Sequence, residues 1–520
     1  MLSLRVYDAM YGWLITFFLP FLFPVYASAQ TIMVSSQQSF DCLDERIDSI
    51  LAAGEREVDV RFGPGTYFFR EGHLDLSGIQ NRNAVLRLRG DSAVLVGADD
   101  GETYRFEKGY VDLSAQRHVD IRRPVRRAKG WPVKCLFRRG VYKIRCDEED
   151  LSCEQAEGVK IILSQWYVGA VYPVVSVRNG FLYFRKEPEY HSWMWSEFRF
   201  GRCLPRYILC TPPQRKDLHA CSASGFLSMD SCRMTSGLME GLTFLGNGEG
   251  RPLLSIRDVR ADSISIRNCR FEGIRSQVVS VEKTDHFYLK DNRFYQCYLG
   301  AVFFAQDTED VIISDNQFVD NGLRMTSIPI VDCKGRAFRV SRNYIENYAH
   351  SAIGVGIHFM DTVGQVTSGV VERNEICMSE HFRNQVPREL IDGGAIYIWT
   401  QNKDVSIRNN FIHDLDGPHG NRGIFADDGA VGVEIAGNLL LSVHGGRCID
   451  LRKALRVERK RVSCIRRVNV RNRMDGNVLD GRSRFYTRKG DPASYVGRNL
   501  ELKPGYDRSE VIRQWKARLP

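Results

Sequence analysis

The segment Ile264-Ser265-Ile266-Arg267-Asn268-Cys269-Arg270-Phe271 returns as Tyr288-Leu289-Lys290-Asp291-Asn292-Arg293-Phe294 and again as Ile312-Ile313-Ser314-Asp315-Asn316-Gln317-Phe318. Each copy is a short run of β-formers, a polar bend and a large apolar residue. The pattern continues at residues 340–345, 371–376, 407–412, 435–440 and 476–479. Aligned on Cys269, Asn292, Asn316, Asn343, Asn374, Asn410, Asn438 and Asn477, successive copies lie 23, 24, 27, 31, 36, 28 and 39 residues apart. A repeat of this length is the signature of a solenoid in which each unit buries its apolar face only by stacking on its neighbours. The shortest steps measure a bare coil, and the longer ones a coil plus a loop.

Alternation within each short strand gives one buried and one outward face. An Asn at a fixed bend can pass its amide hydrogen bonds from coil to coil, satisfying polar groups that the bend would otherwise strand. Leucine-rich repeats also carry an Asn per unit, but they need leucines at fixed offsets that are absent here. The expected fold is therefore all-β: a right-handed parallel β-helix with an N-terminal helical cap and an inserted β-rich subdomain.

Working outward, residues 1–29 have the layout of a secretory signal: Arg5, an apolar run from Trp13 to Val25, then Ala27-Ser28-Ala29, with cleavage expected near Ala29. Residues 30–101 are expected to hold the cap and the first coils, the cap being an amphipathic helix from Asp41 to Ala53. Residues 102–234 lose the repeat, carry Trp131, Trp166, Trp193 and Trp195, and form the expected insert. Residues 235–499 are the repeats, and 500–520 a helical tail able to close the far end. The localisation expected is secreted, periplasmic or cell-surface.

Of fourteen cysteines, Cys135, Cys146, Cys153, Cys203, Cys210, Cys221 and Cys232 cluster in or beside the insert, where an exported protein can form bridges. Cys269 and Cys297, inside repeats, are expected to be buried thiols. The chain has no C-x-x-C pair, which argues against a zinc ribbon. The formal net charge of +9 is concentrated between Arg452 and Arg473, where ten basic residues face the single acid Glu458. That segment suits an anionic surface or an acidic polymer. Nucleic acid is the least expected partner of an exported chain.

The densest chemistry lies in Asp392-Gly393-Gly394-Ala395-Ile396-Tyr397-Ile398-Trp399, then Asn421-Arg422-Gly423-Ile424-Phe425-Ala426-Asp427-Asp428-Gly429, then Gly446-Arg447-Cys448-Ile449-Asp450-Leu451-Arg452. As strands of three successive coils, they stack Ile396, Ile424 and Ile449 inward. Tyr397, Phe425 and Asp450 then form one outward rung, and Trp399, Asp427 and Arg452 another. Carboxylates, aromatic rings and cations on one face are what a sugar site needs. The catalytic candidates are Asp392, Asp427 and Asp428. The substrate-binding candidates are Tyr397, Trp399, His419, Arg422, Arg447, Asp450 and Arg452. Carboxylates one coil apart would sit near 5 Å, the spacing of retaining glycosidases, so an Asp392–Asp427 pair predicts retention. Singly, Asp-Gly-Gly and Asp-Asp-Gly are also ordinary turn sequences.

With DGGAIY, RNNFIHD and GIFADDG in place, the chain resembles the parallel β-helix carbohydrate-active proteins, and among them the fucosidase- and xylosidase-type glycoside hydrolases. Phe425 and Ala426 depart from the G-I-Y-x-D-D-G form of that group. The resemblance implies an acid pair drawn from Asp392 and Asp427 or Asp428, a polysaccharide or complex glycan as substrate, hydrolysis of glycosidic bonds, and no cofactor or metal. Two other functions fit the same residues. A polysaccharide lyase or uronate epimerase would use Arg422, Arg447 or Arg452 against an acidic glycan, with Ca²⁺ as a helper. A non-catalytic glycan-binding surface protein would need only the aromatic residues.

Overall fold

Each coil turns sharply at the residue before the aligned Asn. Asn268, Asp291, Asp315, Arg342, Arg373, Asn409, Gly437 and Gly476 all hold φ between 52° and 65°, the left-handed region that Asn, Asp and Gly tolerate best. Arg342 and Arg373 are exceptions by type, and the Arg342 guanidinium is held across the bend by Asp315 at 2.7 Å. The aligned Asn side chains then form one continuous ladder. Asn292 Nδ2 donates to Asn316 Oδ1 at 3.0 Å and to the Ile266 carbonyl at 2.9 Å, while its backbone N–H also donates to Asn316 Oδ1. The same three bonds recur at Asn316, Asn343, Asn374, Asn410, Asn438 and Asn477. The ladder ends one rung later than the sequence pattern, at Asn499.

The structure is a computed structural model. It describes residues 29–97, the segments 118–119, 141–145, 160–165, 168–178, 181–185 and 206–210, and residues 223–519 apart from 248–249, 275, 298–301, 323–327, 349, 358–366, 381–392, 400–401, 417–421, 428–429, 431, 445–446, 452–471, 482–483 and 486–493. Successive coils build three long parallel sheets. The first has 13 strands from Gln30–Val34 to Ser494–Val496, the second 12 from Gly65–Phe68 to Leu500–Glu501, and the third 11 from Leu74–Asp75 to Arg484–Phe485. This is the right-handed parallel β-helix. Between the sheets, Phe244, Phe271, Phe294 and Phe318 stack with centroids 5.2, 4.8 and 4.7 Å apart. Ile345, Ile376, Ile412 and Leu440 continue that file. Burial of each such side chain contributes roughly 1.5–3 kcal/mol.

A separate six-stranded antiparallel sheet spans His118 to Cys210. The solenoid resumes across it, since Val94 pairs with Thr243 and Leu88 with Met239. At the N-terminus, two helices, Gln37–Asp41 and Leu43–Ala52, bury Phe40, Leu43 and Ile47 against the first coil. They are preceded by the strand Gln30–Val34, which pairs with Glu57–Phe62 and forms the terminal strand of the first sheet.

The C-terminal helix, Arg508–Lys516, does not close the far end, as the sequence pattern suggests. It lies on the outer face of the second sheet, where Trp515 packs with Phe411, Leu439, Leu441 and Val478, and its indole N–H donates to the Gly437 carbonyl at 2.8 Å. Those outward positions are apolar in this part of the sheet, so burying them outweighs covering the end. Arg508 ties the helix to Asp414 at 2.6 Å. Burial pushes that carboxyl up, but Arg508 and His413 outweigh it and hold it at about 2. Cys232, Cys269, Cys297, Cys333, Cys377 and Cys448 are buried free thiols. Cys135, Cys146, Cys153, Cys203 and Cys221 lie outside the described residues, as do the side chain of Cys210 and residues 1–28 of the expected signal.

Candidate functional site

Three strands of the third sheet, Gly394–Ile398, Arg422–Ala426 and Ile449–Leu451, follow one another in register. Ile396, Ile424 and Ile449 stack in the core, and Tyr397, Phe425 and Asp450 align as one rung, as the alternation predicts. The preceding strand, Ser351–Val355, places Gly354 below Tyr397.

The Tyr397 hydroxyl donates to Asp427 Oδ2 at 2.6 Å, which locks a carboxylate from the next coil against an aromatic ring. Both residues are buried. Trp399 stands 4.5 Å from Tyr397, ring to ring, and Phe425 meets the same ring edge-on at 5.1 Å. The open aromatic platform expected from the sequence is therefore not what forms. Tyr397 and Phe425 are buried and meet edge to face, and the Phe425 ring is covered by Arg422, whose guanidinium lies 3.9 Å above it. Trp399 is the half-buried ring of the group. Its backbone carbonyl accepts a hydrogen bond from Asn402 Nδ2, a buried residue that the sequence pattern gave no reason to select.

Arg422 Nε and Arg447 Nη1 both donate to Asp450 Oδ2, at 2.7 and 3.0 Å. Two cations converge on one buried carboxylate oxygen, so these residues form a braced ion cluster. Asp450 Oδ1 is buried without a hydrogen-bond partner among the described residues.

His350 is a second addition. It immediately precedes the strand Ser351–Val355 one coil before Tyr397, its ring is 5.6 Å from that of Tyr397, and its Nδ1 is 3.0 Å from Ser351 Oγ. Burial, helped by the positive charge of Arg422, holds the imidazole down at about 4, so it is neutral near neutral pH. A sequence signal for it existed: Ser351-Ala352-Ile353 aligns with Gly394-Ala395-Ile396 as the strand of the preceding coil.

Asp392, Asp428, His419 and Arg452 lie outside the described residues, as does most of the basic segment 452–473. The Gly393 carbonyl accepts from Arg422 N at the start of the strands, whereas Asp427 N donates to the Ile398 carbonyl at their end. Five residues of extended strand separate Gly393 from Ile398, about 16 Å. Among the described residues no group of three or more His, Cys, Asp or Glu side chains is placed to hold a metal ion.

Comparison with known proteins supports the architecture. The family model described as right handed beta helix region matches residues 223–412. A solved structure described as a glycoside hydrolase superposes with a TM-score of 0.52 at 11% identity, covering 94% of this chain and 98% of that one. PfbA, a surface adhesin of Streptococcus pneumoniae, matches at 0.42 and 9% identity over 91% of this chain and 90% of its own. The A-module of the mannuronan C-5 epimerase AlgE4 from Azotobacter vinelandii matches at 0.30 and 12%, over 91% and 93%. At 11% identity the likeness to the glycoside hydrolase shows the fold alone. No curated protein matches the chain by sequence.

Proposed function

We propose that this chain is an exported carbohydrate-active enzyme, released by cleavage near Ala29, that hydrolyses glycosidic bonds in a polysaccharide or complex glycan. The observation that carries this reading is the Tyr397–Asp427 hydrogen bond beside Trp399: a buried carboxylate, fixed in direction, next to the half-exposed ring able to cover a sugar face. Asp427 accepts from the phenol, an arrangement suited to a nucleophile or base, and the second carboxylate is drawn from Asp428 or Asp392. The glycoside hydrolase that shares the fold over nearly all of both chains agrees with this assignment, and the DGGAIY and GIFADDG segments favour the fucosidase and xylosidase type. A lyase or epimerase would need a cation at liberty to meet a uronate, and among the described residues Arg422 and Arg447 both point at Asp450 instead, Arg452 lying outside them.

The test is to incubate the purified protein with neutral and acidic glycans while following reducing ends and ultraviolet absorbance together. Reducing ends without unsaturated product are expected, and Asp427→Asn should lower turnover at least ~10²-fold, the scale of a lost acid–base or nucleophilic group. Unsaturated product, or an Asp427→Asn protein that cleaves normally, overturns the proposal.

A further inference from the structure

Cleavage after Ala29, on which this inference rests, makes Gln30 the first residue of the mature chain. Gln30 is also the first residue of the strand Gln30–Val34, the terminal strand of the first sheet. The cleavage point and the start of the solenoid therefore coincide, and the new α-amine stands at the first rung, opposite Val58. Further along the strand, Ile32 and Val34 are buried and pair with Val60 and Phe62, so the strand stays in place whatever happens to its first residue. Gln30 itself is exposed. Its side-chain Nε2 approaches Glu55 Oε1 at 3.5 Å, the outer limit of a hydrogen bond, so little holds the amide away from the amine of the same residue.

We propose that Gln30 is a modification site, at which the α-amine closes on the side-chain amide of its own residue to form a lactam, pyroglutamate. The reaction needs no co-reactant. The uncharged amine attacks Cδ, the N–Cδ bond forms, the Cδ–Nε2 bond breaks, and Nε2 leaves as ammonia with the proton that the amine gives up. Nothing is oxidised or reduced. An α-amine titrates at about 7.7–8.0, so an appreciable share of it is uncharged near neutral pH. Glu55 lies beside the departing nitrogen, where a carboxylate can relay that proton. Position decides the outcome: cleavage one residue earlier or later would leave Ala29 or Thr31 first, and neither side chain can close such a ring. The lactam removes the full charge that cleavage creates and puts a compact neutral ring at the rung of Val58. A terminal strand frays and is trimmed from its free end, and a blocked amine denies an aminopeptidase its grip there.

The experiment expresses the full chain with its own leader in a secreting host, holds the purified folded protein at neutral pH, and reads the N-terminal peptide by tandem mass spectrometry. A peptide that begins at residue 30 and is lighter than its sequence by one ammonia is expected, in a share that grows with time. The mature protein should also focus at a lower pH than Gln30→Asn, which, begun at the same residue, would have to close a smaller, strained ring and keeps its charged amine. A chain that begins at Gln30 and retains a free amine after prolonged incubation overturns the modification and leaves the cleavage assignment standing. A chain that begins at another residue, or keeps its leader, overturns both. Neither result alters the glycan assay, because Gln30→Asn should cleave its substrate as wild type does.

Discussion

At the bend between the first and second sheets, every coil from Asn292 to Asn477 repeats the same three hydrogen bonds. On the outer face of the third sheet, the same coils carry Phe304, Asp332, Gly354, Tyr397, Phe425 and Asp450 in one file, with no residue repeated between neighbours. The backbone is equally regular in both places, so the difference is one of selection on side chains. Where the repeat demands one residue, the coil needs it to exist. Where the repeat tolerates anything, unlike residues gather, and polar groups end up braced against one another, as Arg422, Arg447 and Asp450 are.

The ladder should therefore be the place where one substitution costs most stability and least chemistry. Asn374 sits mid-ladder: its Oδ1 accepts from Asn343 N and Nδ2, and its Nδ2 donates to the Val340 carbonyl and Asn410 Oδ1. Asn374→Ala strands two buried donors and the Val340 carbonyl, while Asn410 Oδ1 keeps the bond from the Asn374 backbone N–H, and at about 1 kcal/mol or more for each stranded group the loss should come to about 3 kcal/mol. Denaturant unfolding measures it. A loss below about 1 kcal/mol would show that the ladder merely accompanies the stack.

A next, smaller effect separates the irregular face. His350 is neutral in the folded chain down to about pH 4, while in the unfolded chain its pKa is near 6.5. Between these values the unfolded chain takes up a proton that the folded one refuses. Stability should thus fall as pH drops from about 6.5 to 4, by about 3 kcal/mol in total, and be unaffected by this group above 6.5. His350→Gln, with no titrating ring, should flatten that part of the stability curve. If wild type and variant lose stability in parallel over this window, the buried neutral imidazole is not responsible.

The contrast also explains how much the sequence could disclose. The strands, the Asn bend and the inward stacking of Ile396, Ile424 and Ile449 follow from periodicity, because every coil votes for the same answer. The site is written once. Tyr397, Phe425 and Asp450 could be placed on one rung because their strands align, but their mutual packing depends on ring orientations that no spacing encodes. Asn402 acts on Trp399 from the following strand in a single copy without a repeated pattern to betray it, and His350 is marked only by the alignment of the strand it precedes with Gly394–Ile398. The docking of Trp515 onto Phe411 and Leu439 had a trace, an apolar outward file late in the second sheet, visible only once the register was fixed.

The last rung sharpens the comparison within the ladder itself. Asn499 accepts from Asn477 N and Nδ2 at 3.2 and 2.8 Å, as any ladder Asn does, but no further rung follows, and its own Nδ2 is buried without a partner among the described residues. Only the acceptor half of the side chain is in use. Asn499→Asp keeps that oxygen, removes the stranded donor, and turns two accepted bonds into charge-assisted ones at a half-exposed position. It should leave stability within about 0.5 kcal/mol of wild type. Asn374→Asp, by contrast, replaces a donor that faces the Val340 carbonyl with a second acceptor in a fully buried place, and it should cost as much as Asn374→Ala. Two identical substitutions on one ladder would then differ by several kcal/mol because one rung has a successor and the other has none. Equal losses at both positions would mean that the amide is required for its shape and not for the direction of its hydrogen bonds.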